Sequence, residues 1–114
     1  MWGAGGSLSG STGPSGKRPG HRIASGHAYR KHVVHGKEFP GVKSVSEFAT
    51  IINGVVERGK TAGTGVRLGD GNSTAYWESN GAYASGGIVV IDNPFTEDGG
   101  TAYSCDQAAF QRLT

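Results

Sequence analysis

A chain of 114 residues suits one domain. Only 35% of it is hydrophobic and the longest wholly apolar run is Ile88 to Ile91, which excludes a transmembrane helix of about 20 apolar residues. The net charge of +2 conceals two opposed segments: seven basic residues against one acid, Glu38, from Lys17 to Lys43, then four basic residues against eight acids from Ser44 onward. The basic segment also holds all four histidines, His21, His27, His32 and His35. Cys105 is the only cysteine, so this chain forms no internal disulfide and no thiolate zinc site by itself.

Residues 1–20 hold seven of the 21 glycines, with Ser and Pro, a composition that buries too little apolar surface to offset chain entropy. They are expected to form a flexible linker joining a larger protein upstream to a domain at 21–114. The segment after Met1 has no apolar core of the kind a secretory signal carries.

Ser25 to His35 reads as a short helix, on which His27 and Lys31 share a face while His32, five residues on, points partly away. A stronger helix begins at the capping box Ser44-x-x-Glu47. Val45, Phe48, Ile51, Ile52, Val55 and Val56 then recur at helical spacing until Gly59, where the run is expected to stop. Beyond it the period becomes strand-like, with candidates at 65–68, 73–79, 87–92 and 100–104. Asp70-Gly71, Asn80-Gly81 and Asn93-Pro94 punctuate them. The expected class is α+β, with N-terminal helices packed on an antiparallel sheet of about four strands. Alternation puts Thr101 and Tyr103 on one face, opposite Ala102 and Ser104, and leaves β-strand 88–91 covered on both sides.

No nucleotide-binding glycine motif or Walker lysine is present. His32 and His35 supply two zinc ligands without an evident third, so neither metal nor cofactor is expected. What remains is a set of imidazoles, cations and hydroxyls, which matches RNA cleavage by the adjacent 2′-OH. That reaction needs a base for the hydroxyl proton, an acid for the leaving 5′-oxygen and donors around a phosphorus that gains negative charge. His27 and His32 are the candidate proton carriers. Lys31 and Arg67 are the candidate cations, and Thr101 and Tyr103 the candidate hydroxyl donors. Arg30, Lys37, Lys43 and Tyr76 are candidate RNA contacts, the cations through phosphates. Each has a plainer role open to it: His27 as a helix-start packing residue, Arg67 and Thr101 as surface pairs, Tyr76, Tyr103 and Trp77 as core aromatics. A noncatalytic RNA-binding module is the alternative function.

The ordered set Gly26-His27-Ala28-x-x-Lys31-His32-Val33, Glu38-Phe39-Pro40-Gly41, Ala75-Tyr76-Trp77, Ile88-Val89-Val90-Ile91-Asp92 and Gly99-Gly100-Thr101-Ala102-Tyr103 resembles the C-terminal nuclease domains of bacterial polymorphic toxins. These include the toxins of contact-dependent growth inhibition, with the barnase/EndoU/colicin/RelE-like (BECR) fold. The resemblance implies a metal-independent ribonuclease, often acting on tRNA. It implies export on a larger delivery protein, action in the cytoplasm of a target bacterium, and restraint by a cognate immunity protein. The family's histidine and basic residue fall on His27 and on Lys31 or His32, and its motif hydroxyl on Thr101; Arg67 comes from the strand reading alone. After Gly-Gly-Thr-Ala this chain carries Tyr103-Ser104-Cys105 where the family has Phe-Arg-Pro, and its 79–87 hairpin is longer.

Overall fold

The computed structural model describes residues 19–114, so most of the expected linker lies outside the described residues. Pro19 and Gly20, placed in the linker by composition, open a helix, α1 (Pro19–Ile23). The Gly20 N–H donates to Asn53 Oδ1 at 2.8 Å and ties α1 to the long helix. A π-helical segment, π1 (Ala24–His35), follows, kinked at Gly26. Next come α2 (Val45–Ala62), β1 (Val66–Arg67), β2 (Thr74–Ser79), β3 (Gly87–Asp92), β4 (Gly100–Ser104) and α3 (Gln107–Leu113). The class is α+β, with helices preceding a four-stranded antiparallel meander ordered β1-β2-β3-β4.

The Ser44 signal is realised: its Oγ accepts from the Glu47 N–H at 3.1 Å, and Glu47 reaches back to the Lys43 N–H at 2.6 Å. The helix does not end at Gly59 but runs on to Ala62, and Gly63, at φ 70°, supplies the left-handed cap. Gly59 is instead a packing residue, because any Cβ there would overlap the Tyr76 ring. A glycine signals both a stop and a close approach, and here the approach of α2 to β2 decides.

Phe48, Ile52, Val55 and Val56 of α2 join Ile23, Ala24, Ala28, Val33 and Phe39 over Tyr76, Ile88, Val90 and Ala102. Burying Phe48 completely contributes about 1.5–3 kcal/mol. The opposite face carries Ala75, Trp77, Val89, Ile91, Tyr103 and Cys105, packed with Ala109 and Phe110 of α3. Asp106 caps α3 by accepting from the Ala109 N–H at 2.8 Å. Trp77 stacks on Phe110 and donates Nε1–H to the Cys105 carbonyl at 2.9 Å. The register, Trp77 with Val89 with Tyr103 and Tyr76 with Val90 with Ala102, fixes which side chains share a face.

Asp92 closes β3 on the helix-covered face, aligned with Thr74 and Gly100. Burial pushes its carboxyl above the usual carboxylate range, with Lys60 and Arg22 pulling it back only in part. The folded state therefore holds this proton more tightly than the unfolded chain, and stability falls as pH rises from the ordinary value through the raised one. Asp92→Asn is expected to raise Tm at pH 7 and to leave it unchanged below about pH 3, where the carboxyl is protonated in both states. Thermal unfolding at the two pH values checks this.

Candidate active site

π1 lies along β4, the edge strand of the sheet, and its winding decides which side chains reach that edge. The Gly36 N–H donates to the Lys31 carbonyl at 2.9 Å, a bond between residues five apart. The two imidazoles differ in exposure, 88% for His27 against 13% for His32, and each pairs with an acid next to or bonded to β4: Asp98 before the strand, and Glu38 on the Ser104 N–H.

His32 is the better enclosed of the two, its side chain 13% exposed, with Nδ1 2.7 Å from Glu38 Oε2. The other carboxylate oxygen of Glu38 accepts the Ser104 backbone N–H at 2.8 Å, so one acid ties the imidazole to the edge strand. The long hairpin holds Glu38 in place from the other side. The Ala84 N–H donates to the Glu38 carbonyl, and the Ser85 N–H donates to Ser104 Oγ, both at 2.9 Å. Donation from Nδ1–H to the carboxylate leaves the neutral ring its lone pair on Nε2, the arrangement of a general base. The Tyr103 ring lies 5.5 Å from the His32 ring, centroid to centroid. Burial, with Cys105 and Glu38 nearby, pushes the Tyr103 phenol up, so it keeps its O–H as a donor at neutral pH.

His27 forms a second pair, Nδ1 to Asp98 Oδ2 at 2.6 Å, with its side chain 88% exposed. Asp98 stands just before β4 and Tyr103 near its end, with Thr101 between them and on the Tyr103 face. Asp98 and Tyr103 are five positions apart, at most about 17 Å of chain.

The remaining candidates divide. Arg30, Lys31, Lys37 and Lys43 are exposed and, among the described residues, none is in an ion pair. Arg67 is not brought to this edge. It lies on β1, three strand spacings or about 14 Å from β4, on the face opposite Thr101 and Tyr103. Its guanidinium donates to the Gly71 carbonyl at 2.7 Å and holds that turn, away from Thr101. Tyr76 is 5% exposed beneath α2, so it is a core aromatic and not an RNA contact. Among the described residues no three His, Cys, Asp or Glu side chains gather as a metal site.

Comparison with family models, with curated proteins and with solved structures gives no match to this chain. Two residues that sequence reasoning missed are the carboxylates. Glu38 carried a signal, as the single acid in the basic segment, whereas Asp98 had only its place beside the Gly99-Gly100-Thr101 motif.

Proposed function

We propose that this domain is a ribonuclease toxin that cuts RNA, with tRNA as the expected target, by transesterification without a metal ion. The observation that carries the reading is the pair of carboxylate-bound imidazoles of π1, whose acids precede or bond the strand that bears Thr101 and Tyr103. One imidazole takes the 2′-OH proton while the 2′-oxygen attacks phosphorus. The P–O5′ bond breaks, and the other imidazole, as imidazolium, gives its proton to the leaving 5′-oxygen. The products are a 2′,3′-cyclic phosphate and a 5′-hydroxyl. The carboxylates of Glu38 and Asp98 stabilise the imidazolium forms and fix ring orientation. Thr101 and Tyr103 hydroxyls donate to the phosphoryl oxygens, and Lys31, unpaired among the described residues, offsets the developing charge. Arg30, Lys37 and Lys43 hold flanking phosphates.

The BECR resemblance supports the biological setting: competition between bacteria, carriage on a larger protein, and action in the target cytoplasm. A cognate immunity protein would cover the basic face with carboxylates, giving fast and salt-sensitive association.

His27→Ala is expected to lower tRNA cleavage at least about a hundredfold, the scale of a lost general acid or base. The exposure of His27 means the fold survives, because a pair this open to solvent adds little stability. Gel analysis of total tRNA incubated with pure protein in EDTA checks both points. Wild-type cleavage by the variant removes His27 from the mechanism, loss of activity in EDTA contradicts metal independence, and binding without cleavage favours the noncatalytic module.

A further inference from the structure

The β3–β4 turn carries the most exposed large apolar side chain of the described residues, Phe95, at 77%. Val34, Val45 and Leu113 are aliphatic and less exposed. An exposed phenylalanine on a mobile tip would mean little, but this turn is held at both ends and across its middle. The Asn93 N–H donates to the Gly99 carbonyl at 2.8 Å and closes it. The Phe95 N–H donates to Asn93 Oδ1 at 3.0 Å, and the Gly99 N–H to the Thr96 carbonyl at 3.2 Å. From α1, Arg22 donates to the Thr96 carbonyl at 2.6 Å and to the Pro94 carbonyl at 3.4 Å. These bonds fix the backbone on either side of Phe95 while the ring has no protein neighbour to cover it.

The same turn supplies Asp98, the partner of His27. Phe95 and Asp98 are three positions apart, at most about 10 Å of chain. An uncovered aromatic ring is thus mounted one short step from the His27 imidazole, on a turn that the Arg22 guanidinium holds. A nucleobase supplies a flat apolar face and its backbone supplies the phosphates. Stacking on an aromatic side chain is open to every base, provided it is unpaired.

We propose that Phe95 is a stacking platform for an unpaired base of the RNA next to the scissile phosphodiester, a positioning residue that confines cleavage to single-stranded or loop segments. The identity of the ligand rests on the ribonuclease reading above. Phe95 moves no proton, so its effect lies in binding and not in the chemical step.

The test measures binding of a short single-stranded RNA carrying 2′-O-methyl sugars, which has no free 2′-OH and is not cut, by fluorescence anisotropy. Phe95→Ala is expected to weaken binding about tenfold, the scale of one lost base–aromatic stack. Phe95→Trp is expected to restore it, with indole emission quenched on binding. Equal affinity of wild type and Phe95→Ala overturns the proposal, as does an alanine defect that tryptophan fails to rescue. Phe95-dependent binding by a protein that does not cut ordinary RNA supports the platform and overturns the nuclease reading. Absence of binding by the wild type overturns both.

Discussion

Replacing His32 by asparagine is expected to slow tRNA cleavage at least about a hundredfold. Asparagine places an amide N–H where Nδ1–H stands, so the bond to Glu38 Oε2 and the tie to the Ser104 N–H are kept. What it removes is Nε2, the atom proposed to exchange the proton. Single-turnover cleavage at saturating protein reads the chemical step apart from binding, and a thermal melt confirms that the edge strand remains docked. Alanine at the same position is less informative. It would leave the half-buried carboxylate of Glu38 without its imidazole partner, mixing a stability loss into the kinetic one. A rate within about tenfold of wild type for the asparagine variant would remove His32 from proton transfer.

Gly100→Ala is expected to destabilise the fold by about 3 kcal/mol or more. Gly100 has φ 119°, in a region that residues with a side chain rarely adopt, and its Cβ would overlap the Ile91 carbonyl oxygen and stand 3.0 Å from the Asn93 amide nitrogen. Backbone strain of about 1–3 kcal/mol adds to a clash with main chain that no rotamer relieves. For a domain of this size each kcal/mol lowers Tm by roughly 4–8 °C, so the loss is large on a melting curve. Gly81→Ala is the matched control, with open space around its Cβ and no positive φ, and is expected to stay within about 0.5 kcal/mol of wild type. Urea denaturation of the two variants compares them directly. The Gly-Gly pair of the motif is thus required by the backbone that delivers Thr101, whatever Thr101 then does.

The contrast between these two positions explains what the amino-acid order discloses. The β3 and β4 boundaries, Gly87–Asp92 and Gly100–Ser104, follow from alternation and turn residues, which act over a few positions. The start of α2 at Ser44 is equally local, since capping is a bond between a side chain and a backbone three residues away. The end of α2 lies beyond the expected stop because Gly59 answers to Tyr76, 17 positions later in the chain but adjacent in space. α3 went unnoticed although Asp106 is a plain N-cap, because seven residues give too few turns for a periodic signal.

At the site, the histidines and the β4 hydroxyls were visible as residue types, and the sheet order then separated Arg67 from them. The π winding was not visible. No propensity marks a register of five against four, and it is the packing of Ala28 and Val33 into the core that holds π1 in place. The partnership of each histidine with an acid was equally hidden. Glu38 lies six residues from His32, and Asp98 lies 71 residues from His27.

The most direct test of the central claim is the chemistry of the cut ends. Purified domain is incubated with tRNA in EDTA, and the fragments are analysed by mass spectrometry. Paired imidazoles acting on the 2′-OH predict fragments ending in a 2′,3′-cyclic phosphate and beginning with a 5′-hydroxyl. Intact tRNA, or fragments with 3′-hydroxyl and 5′-phosphate ends, would contradict it.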